Sequence, residues 1–454
     1  MTISTGGMKM YAKINELADR LTDKLVAARR DFHKYAESGW FEMRTSSLIA
    51  RRLTGMGYEV LTGPDVCLGE SRMGLPSDEE LEKNYIRAKE QGADPEFLEN
   101  VKGGFTGVMG ILRCGEGPTV ALRFDIDALG VVEDVSSEHR PFREGFSSVN
   151  PGMMHACGHD GHASIGLGVA EVLMAVKDDL RGTVRIIFQP AEEGVRGAKS
   201  IVDKGHLDGV DYVLACHISG RVSEEDNVSD VTAGSGGSLA TSKMDVFYYG
   251  KSAHAGSHPQ DGRNALAAAV TAVQNLLAIP RNSKSDTRVN VGTLHAGSGR
   301  NVIPEYARME MEVRGKTSEG NIYMEQWAQR IFRTAAEMHD CTYEVKKMGE
   351  AFLLESDQAL MELIRDVCEK DLKTIRVHSK LRREADGSED FSYMMKRVQD
   401  QGGQASMLRI LTKTAAVGHN KMFDFDDTDA LPKAVKALSA VTCRLLCNPF
   451  DERQ

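Results

Sequence analysis

The sequence predicts an α/β protein built around a mixed β-sheet, with a smaller ferredoxin-like α+β domain inserted into it. Between residues 104 and 217, short apolar segments typical of strands alternate with longer segments typical of helices. Between residues 240 and 349 the order changes to β-α-β-β-α-β, the split arrangement of ferredoxin-like domains. The first pattern then returns, so the smaller domain interrupts the larger one.

The N-terminal part of the chain is predicted to be helical. Apolar residues spaced three and four apart predict an amphipathic helix over 11–30, and a second helix follows over 45–56. The segment 64–104 is highly charged, and we interpret it as a surface excursion, for which a solvated hairpin is the simplest form. Residues 104–114 and 119–125 then predict two strands paired with each other.

The remaining segments set the domain boundaries. A helix over 162–180 and strands over 183–190 and 211–217 continue the alternation that places helices on both faces of a sheet. The glycine- and serine-rich stretch 229–239 is typical of a boundary. We therefore predict a large domain in two parts with a smaller domain between them, over 1–236, 237–348 and 349–454.

Composition narrows the class of protein. A net charge of -10 argues against nucleic-acid binding, which favours a basic surface. No apolar run approaches the length of a membrane span, and the first residues lack the pattern of a signal peptide. The eight cysteines form no CxxC pair, which favours reduced thiols and a cytoplasmic location.

Acidic and histidine residues stand where the predicted strands end. Ligand sites in open α/β sheets lie beyond the carboxyl ends of the strands, so we expect these side chains to converge at one edge. The late segment 405–419 is a further strand that leads into a histidine. The residues delivered in this way are Asp125, Asp127, Glu192, Glu193, His217 and His419.

The stretch "MHACGHDGH" adds a thiol and an imidazole to this set. Cys157 precedes a predicted helix, whose N-terminus favours the thiolate. Thiolate, imidazole and carboxylate together suit Zn²⁺ or a similar divalent ion. One catalytic ion needs about three protein ligands, so five candidates favour two ions with a bridging ligand. The five are Cys157, His159, Glu193, His217 and His419, and Glu192 is left to act as a general base.

Simpler interpretations exist for each residue taken alone. A histidine at a strand end is more often structural than a metal ligand, and the acids of "AEE" could stabilise the start of a helix. His155 and His162 could support the ligands or be structural. Asp160 could orient a ligand or cap the helix. The coincidence of several such residues at one sheet edge is what favours a functional site.

Seven motifs occur in the order of a known family. They are "RRDFHKYAESGW", "RFDIDAL", "MHACGHDGH", "QPAEEG", "KSAHAG", "NVIP" and "GSEDF". Together they resemble the M20 metallopeptidase family, in its amidohydrolase branch of N-acyl-amino-acid hydrolases. The resemblance implies a catalytic domain with an inserted domain that serves as a lid and a dimerisation surface.

The resemblance also assigns roles to residues. It implies metal ligands at the five positions given above, with Cys157 as the bridge, and the catalytic carboxylate at Glu192. His254 would approach the active site of a neighbouring subunit, and Asn301 and Arg314 would contact the carbonyl and carboxylate of the substrate. Other branches of the family have a histidine ligand where this chain has Arg123. We therefore expect Asp125 and Asp127 to support the ligands, and Asp160 is a further candidate for that role.

The resemblance implies hydrolysis of an N-acyl amino acid, with p-aminobenzoyl-glutamate, a folate breakdown product, as the leading substrate. A broader aminoacylase of aromatic substrates, or a subunit that needs a homologous partner, are the alternatives. A glutamate carries two carboxylates, for which Arg300 is a further candidate. The resemblance favours Mn²⁺ and the thiolate favours Zn²⁺. The partner is a second copy of the chain, or a related subunit.

Overall fold

The computed structural model describes residues 5–384 and 387–447. The α-helices within these residues are α1 (Thr5–Arg20), α2 (Thr22–Lys34), α3 (Met43–Met56), α4 (Asp78–Glu90), α5 (Pro95–Leu98), α6 (Arg140–Arg143), α7 (His159–Ala175), α8 (Ala198–Asp203), α9 (Glu224–Val228), α10 (Ala265–Leu277), α11 (Ser318–Met338), α12 (Gln358–Asp366), α13 (Phe391–Asp400) and α14 (Asp427–Leu446). None of these helices combines the length and the apolar character that crossing a membrane requires.

The strands form two principal sheets and one short pair. They are β1 (Glu59–Thr62), β2 (Val108–Arg113), β3 (Thr119–Asp125), β4 (Thr183–Gln189), β5 (Tyr212–Gly220), β6 (Val231–Thr232), β7 (Gly234–Gly236), β8 (Ala240–Tyr249), β9 (Thr287–Ala296), β10 (Tyr306–Gly315), β11 (Thr342–Ala351), β12 (Arg382–Glu384) and β13 (Gln404–Thr412). The larger sheet has the order β1-β2-β4-β3-β5-β13-β6, and β7 pairs with β12.

The larger sheet is mixed, as the sequence predicts. Its four central strands β4, β3, β5 and β13 run parallel, and the outer strands β2 and β6 pair antiparallel to them. The predicted pairing of β2 with β3 is wrong, because β4 lies between them. Val108 of β2 and Phe124 of β3 are both paired with Phe188 of β4. The four parallel strands therefore end at one edge.

Helices cover both faces of this sheet. One face packs against α7 and α14, and the other packs against α8 and α13. Helix α7 is buried almost all round and lies directly on β3 and β4. A side chain at Gly166 would come within 2.6 Å of Phe188 and 2.7 Å of Phe124. The glycine therefore allows the close approach that sets the start of α7 beside the strand ends.

The second sheet forms the inserted unit. Its four antiparallel strands have the order β11-β8-β10-β9, and α10 and α11 pack on one face. The four strands span residues 240–351, while the boundaries at 237 and 348 stay predictions. The chain enters through β8 and leaves through β11, which are paired from Thr241↔Ala351 onwards. Two adjacent strands thus connect this unit to the larger sheet.

The segment 64–104 is packed more tightly than a solvated hairpin. Helix α4 begins at a capping box in which Ser77 and Glu80 bond each other's backbone N–H groups. Leu81 and Tyr85 of α4 belong to an apolar cluster around Trp40. The indole N–H of Trp40 donates to the carbonyl of Met73 at 2.8 Å. The segment is therefore fixed to the larger domain.

A buried ionic network joins α2, α7 and α14. The Arg29 guanidinium is fully buried and contacts Asp160 at 2.7 Å, Asp424 at 2.9 Å and Asp427 at 3.4 Å. His33 bonds Asp160 at 2.8 Å and Glu133 at 2.9 Å. The sequence alone indicates no partner for His33, because its partners are remote in the chain. The network holds the first turn of α7.

Replacing Arg29 by methionine should lower the free energy of unfolding by about 3–5 kcal/mol, because it removes the shared cation from three buried carboxylates. Urea denaturation followed by circular dichroism measures this loss. The control is Arg113→Met, whose pair with Glu59 is more than half exposed and should contribute about 1 kcal/mol or less. Equal losses in the two variants would contradict the role of the network.

Candidate metal centre

The strand ends and the start of α7 bring the predicted ligands together. His217 lies within β5, which continues three residues beyond the predicted strand to Gly220. Glu193 follows β4, and His419 follows β13 in the loop that leads to α14. Cys157 and His159 lie at the start of α7. The larger sheet thus delivers three side chains and the helix delivers two.

These five side chains form two groups that share one thiol. Cys157, His159 and His217 form one group, and Cys157, Glu193 and His419 form the other. Within each group the donor atoms lie within 4.8 Å of one another. Cys157 Sγ lies 3.5 Å from His217 Nε2, and Glu193 Oε1 lies 3.7 Å from His419 Nε2. A shared thiol between two donor sets is the arrangement that a bridging ligand requires.

Two of the imidazoles, in their neutral form, direct Nε2 towards this space. His159 Nδ1 lies 2.9 Å from the Asp127 carbonyl, and His217 Nδ1 lies 2.7 Å from the Ile218 carbonyl. Since a carbonyl oxygen only accepts, each Nδ1 carries the proton and donates it. The Nε2 atoms are then the acceptors, and both face the donor groups. Backbone carbonyls therefore fix the tautomer that a metal ligand needs.

The site contains buried polar atoms that no protein group satisfies. His159 Nε2 and Glu193 Oε1 are buried and have no hydrogen-bond partner among the described residues, although they lie 3.9 Å apart. An unpaired buried acceptor costs free energy comparable to a lost hydrogen bond. A divalent cation between them would satisfy both, so the donor set fits a bound metal.

The pKa of Cys157 differs from the prediction that the N-terminus of the helix favours its thiolate. Burial, and then the Glu193 carboxylate, raise the pKa of Cys157 to about 11. Desolvation therefore outweighs the favourable end of the α7 dipole in the protein without metal. Since the thiolate is the metal ligand, binding of a cation has to displace this proton.

The Asp127 carboxylate organises the loop that carries both glutamates. Its Oδ1 accepts from the backbone N–H of Glu192 at 3.0 Å, and its Oδ2 accepts from that of Glu193 at 2.9 Å. Oδ1 also lies 3.3 Å from His159 Nδ1. One buried carboxylate thus sets the position of three residues of the site.

Several site residues have strained backbone. Ala191, Val195 and His419 adopt positive φ values of 51°, 62° and 65°. This left-handed region is unfavourable for any residue with a Cβ, and most of all for a β-branched valine. The Ala191 N–H donates to Glu42 at 2.8 Å, and the His419 N–H donates to the Ala156 carbonyl at 2.7 Å. Such strain concentrates at functional sites, where the surroundings hold it in place.

A second acidic pair, which the sequence reasoning missed, lies beside Glu192. Glu389 and Asp390 belong to the motif "GSEDF", and each offers a carboxylate oxygen within 4.8 Å of Glu192. Buried Arg123 pairs with Glu389 at 3.0 Å and with Asp390 at 3.1 Å. Burial, and then the Glu389 carboxylate, raise the pKa of Glu192. The motif contained the signal, but its ion-pair partner is 266 positions away.

Asp125, His162 and Asp160 flank the cluster and have structural partners, whereas the buried His155 ring has no hydrogen-bond partner among the described residues. Asp125 is held by Arg123 at 2.6 Å and by His162 Nδ1 at 2.5 Å. The Ile218 N–H donates to His162 Nε2 at 2.9 Å, so this ring has no free lone pair for a metal. Asp160 bonds Arg29 and accepts from the N–H of Gly161 in the first turn of α7.

Three of the other predicted site residues make no direct contact with the candidate ligands in the described part of the chain. His254, Asn301 and Arg300 are exposed in the inserted unit, and none has a hydrogen bond or ion pair with the five candidate ligands in the described part of the chain. Arg314 is half-buried on β10 and bonds Glu312 with Nε at 2.9 Å and Nη2 at 3.0 Å. The proposed roles of these four residues therefore stay predictions.

A mixed α/β sheet that carries a thiol, imidazoles and carboxylates at one edge defines a metal-dependent hydrolase. The chain belongs to the Peptidase family M20/M25/M40, whose sequence profile matches residues 121–444.

Named relatives cover nearly the whole chain. The indole-3-acetyl-aspartic acid hydrolase of Enterobacter agglomerans and a p-aminobenzoyl-glutamate hydrolase subunit of Escherichia coli strain K12 are each 43% identical over 427 residues, which is 94% of this chain and 97% of the relative. The crystal structure of an aminobenzoyl-glutamate utilization protein from Klebsiella pneumoniae has a TM-score of 0.80 at 38% identity, covering 94% of this chain and 98% of that one. The resemblance to the M20 family, and within it to p-aminobenzoyl-glutamate hydrolase, is confirmed.

Replacing Asp127 by alanine should weaken metal binding by roughly 10- to 100-fold, because it frees the loop that carries Glu193 and loosens His159. Competition with a chromophoric chelator measures the affinity. The matched control is Asp203→Ala, which removes an exposed carboxylate bonded to Ser71 and should leave the affinity unchanged. Unchanged affinity in Asp127→Ala would contradict the organising role of this carboxylate.

Proposed function

We propose that this chain is a two-metal amidohydrolase that cleaves the amide bond of an N-acyl amino acid, with p-aminobenzoyl-glutamate as the leading substrate. The products are then p-aminobenzoate and glutamate. The observation that carries the proposal is the pair of donor groups that share Cys157 Sγ, with the buried Glu192 carboxylate beside them.

The residues that would hold two divalent ions are Cys157, His159, Glu193, His217 and His419, with the thiolate as the bridge. Bound ions would supply Lewis acidity, which polarises an amide carbonyl and makes a water more acidic. Zn²⁺ is favoured by the soft thiolate ligand. Mn²⁺ is favoured by the resemblance to the p-aminobenzoyl-glutamate hydrolase subtype.

The role proposed for Glu192 is proton transfer. It follows directly after Ala191, which has a left-handed conformation, and its carboxylate lies within 4.8 Å of the donor atoms of His159 and Glu193. Its raised pKa makes the carboxylate a stronger base than an ordinary glutamate. In the proposed reaction it takes a proton from the attacking water and returns a proton to the leaving nitrogen.

The role proposed for His254 is to donate a hydrogen bond to the substrate carbonyl. The N–H groups of Gly256 and Ser257 both donate to its Nδ1 at 3.1 Å, so the proton of the neutral ring is on Nε2. This Nε2–H faces outwards from an exposed side chain. A donor of this kind stabilises charge on the carbonyl oxygen during attack. Asn301 and Arg314 complete the proposed contacts to the carbonyl and carboxylate.

A second candidate substrate is an aspartate conjugate with an aromatic acyl group. It is favoured because the relative named for indole-3-acetyl-aspartate is as similar to this chain as the one named for p-aminobenzoyl-glutamate. Two relatives are named as one subunit of a hydrolase, which favours an assembly with a related chain over a homodimer. In either assembly the inserted unit is the proposed contact surface, and a cytoplasmic location fits a folate breakdown product.

Replacing Glu192 by glutamine should lower kcat on p-aminobenzoyl-glutamate by roughly 10²- to 10⁴-fold, because the amide cannot accept the proton. Metal content measured by elemental analysis should stay unchanged, since Glu192 is not a proposed ligand. Glu116→Gln, in an exposed turn, is the control and should keep full activity. A Glu192→Gln protein with substantial turnover would exclude Glu192 as the base.

Mixing Glu192→Gln with His254→Ala chains should restore activity if His254 acts on the neighbouring subunit of a homodimer. Each parent is inactive, but a mixed dimer combines an intact Glu192 with an intact His254 at one of its two sites. Random exchange then restores about a quarter of the sites. Activity is followed during subunit exchange, and the wild-type protein treated identically is the control. If the two variants exchange subunits and activity does not recover, His254 does not act in the active site of the partner subunit.

A further inference from the structure

We propose that Lys243 recognises the second carboxylate of an acidic leaving amino acid, so that the site selects N-acyl-glutamate or N-acyl-aspartate over neutral amino acid conjugates. The inference rests on the proposed amidohydrolase function and adds a residue that determines specificity.

The register of the second sheet places Lys243 at the end nearest the metal centre. On β8 it is paired with Glu312 of β10 and lies two residues from Thr241, where β8 and β11 join the larger domain. Met244 and Val246 face the helices of the inserted unit. Since side chains alternate along a strand, Lys243 lies on the opposite, open face with Glu312 and Arg314.

The surroundings of Lys243 are those of the candidate active site. Burial lowers its pKa, and the Glu312 carboxylate opposes this effect. The charges of Arg314, Glu192 and Arg196 also affect the pKa of Lys243. Gly349 of β11 is paired with Lys243, and a side chain at Gly349 would come within 2.1 Å of the Gly194 carbonyl oxygen. Lys243 therefore lies beside the loop that carries Glu192, although the two residues are 51 positions apart in the sequence.

The ammonium of Lys243 has no fixed partner among the residues that the structure describes. It is half-buried, yet it makes no hydrogen bond and no ion pair within 4.0 Å there. Arg314 instead uses Nε and Nη2 on Glu312, and Arg196 uses Nε and Nη1 on the carbonyls of Glu193 and Gly74. A partly desolvated cation with free donors is suited to an anionic ligand.

A lysine fits the chemistry of the two candidate substrates. Glutamate and aspartate differ by one methylene in the position of the second carboxylate. An ammonium on a flexible stem acts as a point charge, so it can follow that difference better than the fixed fork of an arginine. Arg314 then remains for the carboxylate next to the scissile amide. Arg300, the other candidate for the second carboxylate, is exposed.

The test compares p-aminobenzoyl-glutamate with p-aminobenzoyl-glutamine, its neutral isostere, on the metal-loaded enzyme. In Lys243→Met the ratio of kcat/KM for the acid over the amide should fall roughly 10- to 100-fold, the loss expected for one charged contact. Lys243→Arg should restore part of the preference. Lys243→Gln is a second neutral variant in case the methionine disturbs folding. Lys346→Met, an exposed lysine on the same sheet, is the control and should keep the wild-type ratio.

Binding supplies a readout that does not require turnover. Calorimetric titration of Glu192→Gln with both ligands should show a preference for the acid, and adding Lys243→Met should remove it. An unchanged ratio and unchanged binding in both neutral variants would overturn the role of Lys243 alone. A wild-type enzyme that cleaves neither compound would instead overturn the proposed function, while the titration would still decide whether Lys243 selects the acid.

Discussion

The position of one buried carboxylate, that of Asp127, is the constraint on which the candidate site depends. Its two oxygens accept the N–H groups of consecutive residues, Glu192 and Glu193, and one of them also approaches His159. A proposed base, a proposed ligand from the loop after β4 and a proposed ligand from α7 are thereby held relative to one another. Without this alignment the donor atoms would not hold a metal ion in good geometry, because metal sites tolerate only small errors in ligand position.

Parts of the chain that are far apart in sequence hold the same loop. Near the N-terminus, Glu42 accepts the N–H of Ala191. From the returning strand β11, the Glu350 N–H donates to the carbonyl of Val195 at 2.8 Å. From the segment 64–104, the Gly74 carbonyl accepts from Arg196. These contacts explain how two non-glycine residues stay in left-handed conformations, since strain of this kind persists only when the surroundings determine it. They also give the segment 64–104 a direct connection to the metal centre.

Sequence patterns could predict whatever depends on local order. Neighbouring residues reveal the strand-like segments, the residues that follow them and the glycine- and serine-rich stretch near residue 230. The α/β class and the five candidate ligands could be predicted from these features. Pairing between distant segments is not local, which is why β4 between β2 and β3 was missed. The same reason applies to Glu389, whose partner is Arg123, and to His33, whose partner is Asp160. Lys243 carries no motif at all, and its significance comes from the register of β8 against β10.

Strands β8 and β11 connect the inserted unit to the larger domain at the pair Thr241↔Ala351. With a rise of about 3.4 Å per residue, Lys243 stands ~7 Å beyond the pair Thr241↔Ala351, while the far end of β8 at Tyr249 stands ~27 Å beyond it. A rotation about this junction would move the far end of β8 roughly four times as far as Lys243. Lys243 therefore lies close to the junction with the larger domain, whereas the chain reaches His254 only beyond the far end of β8.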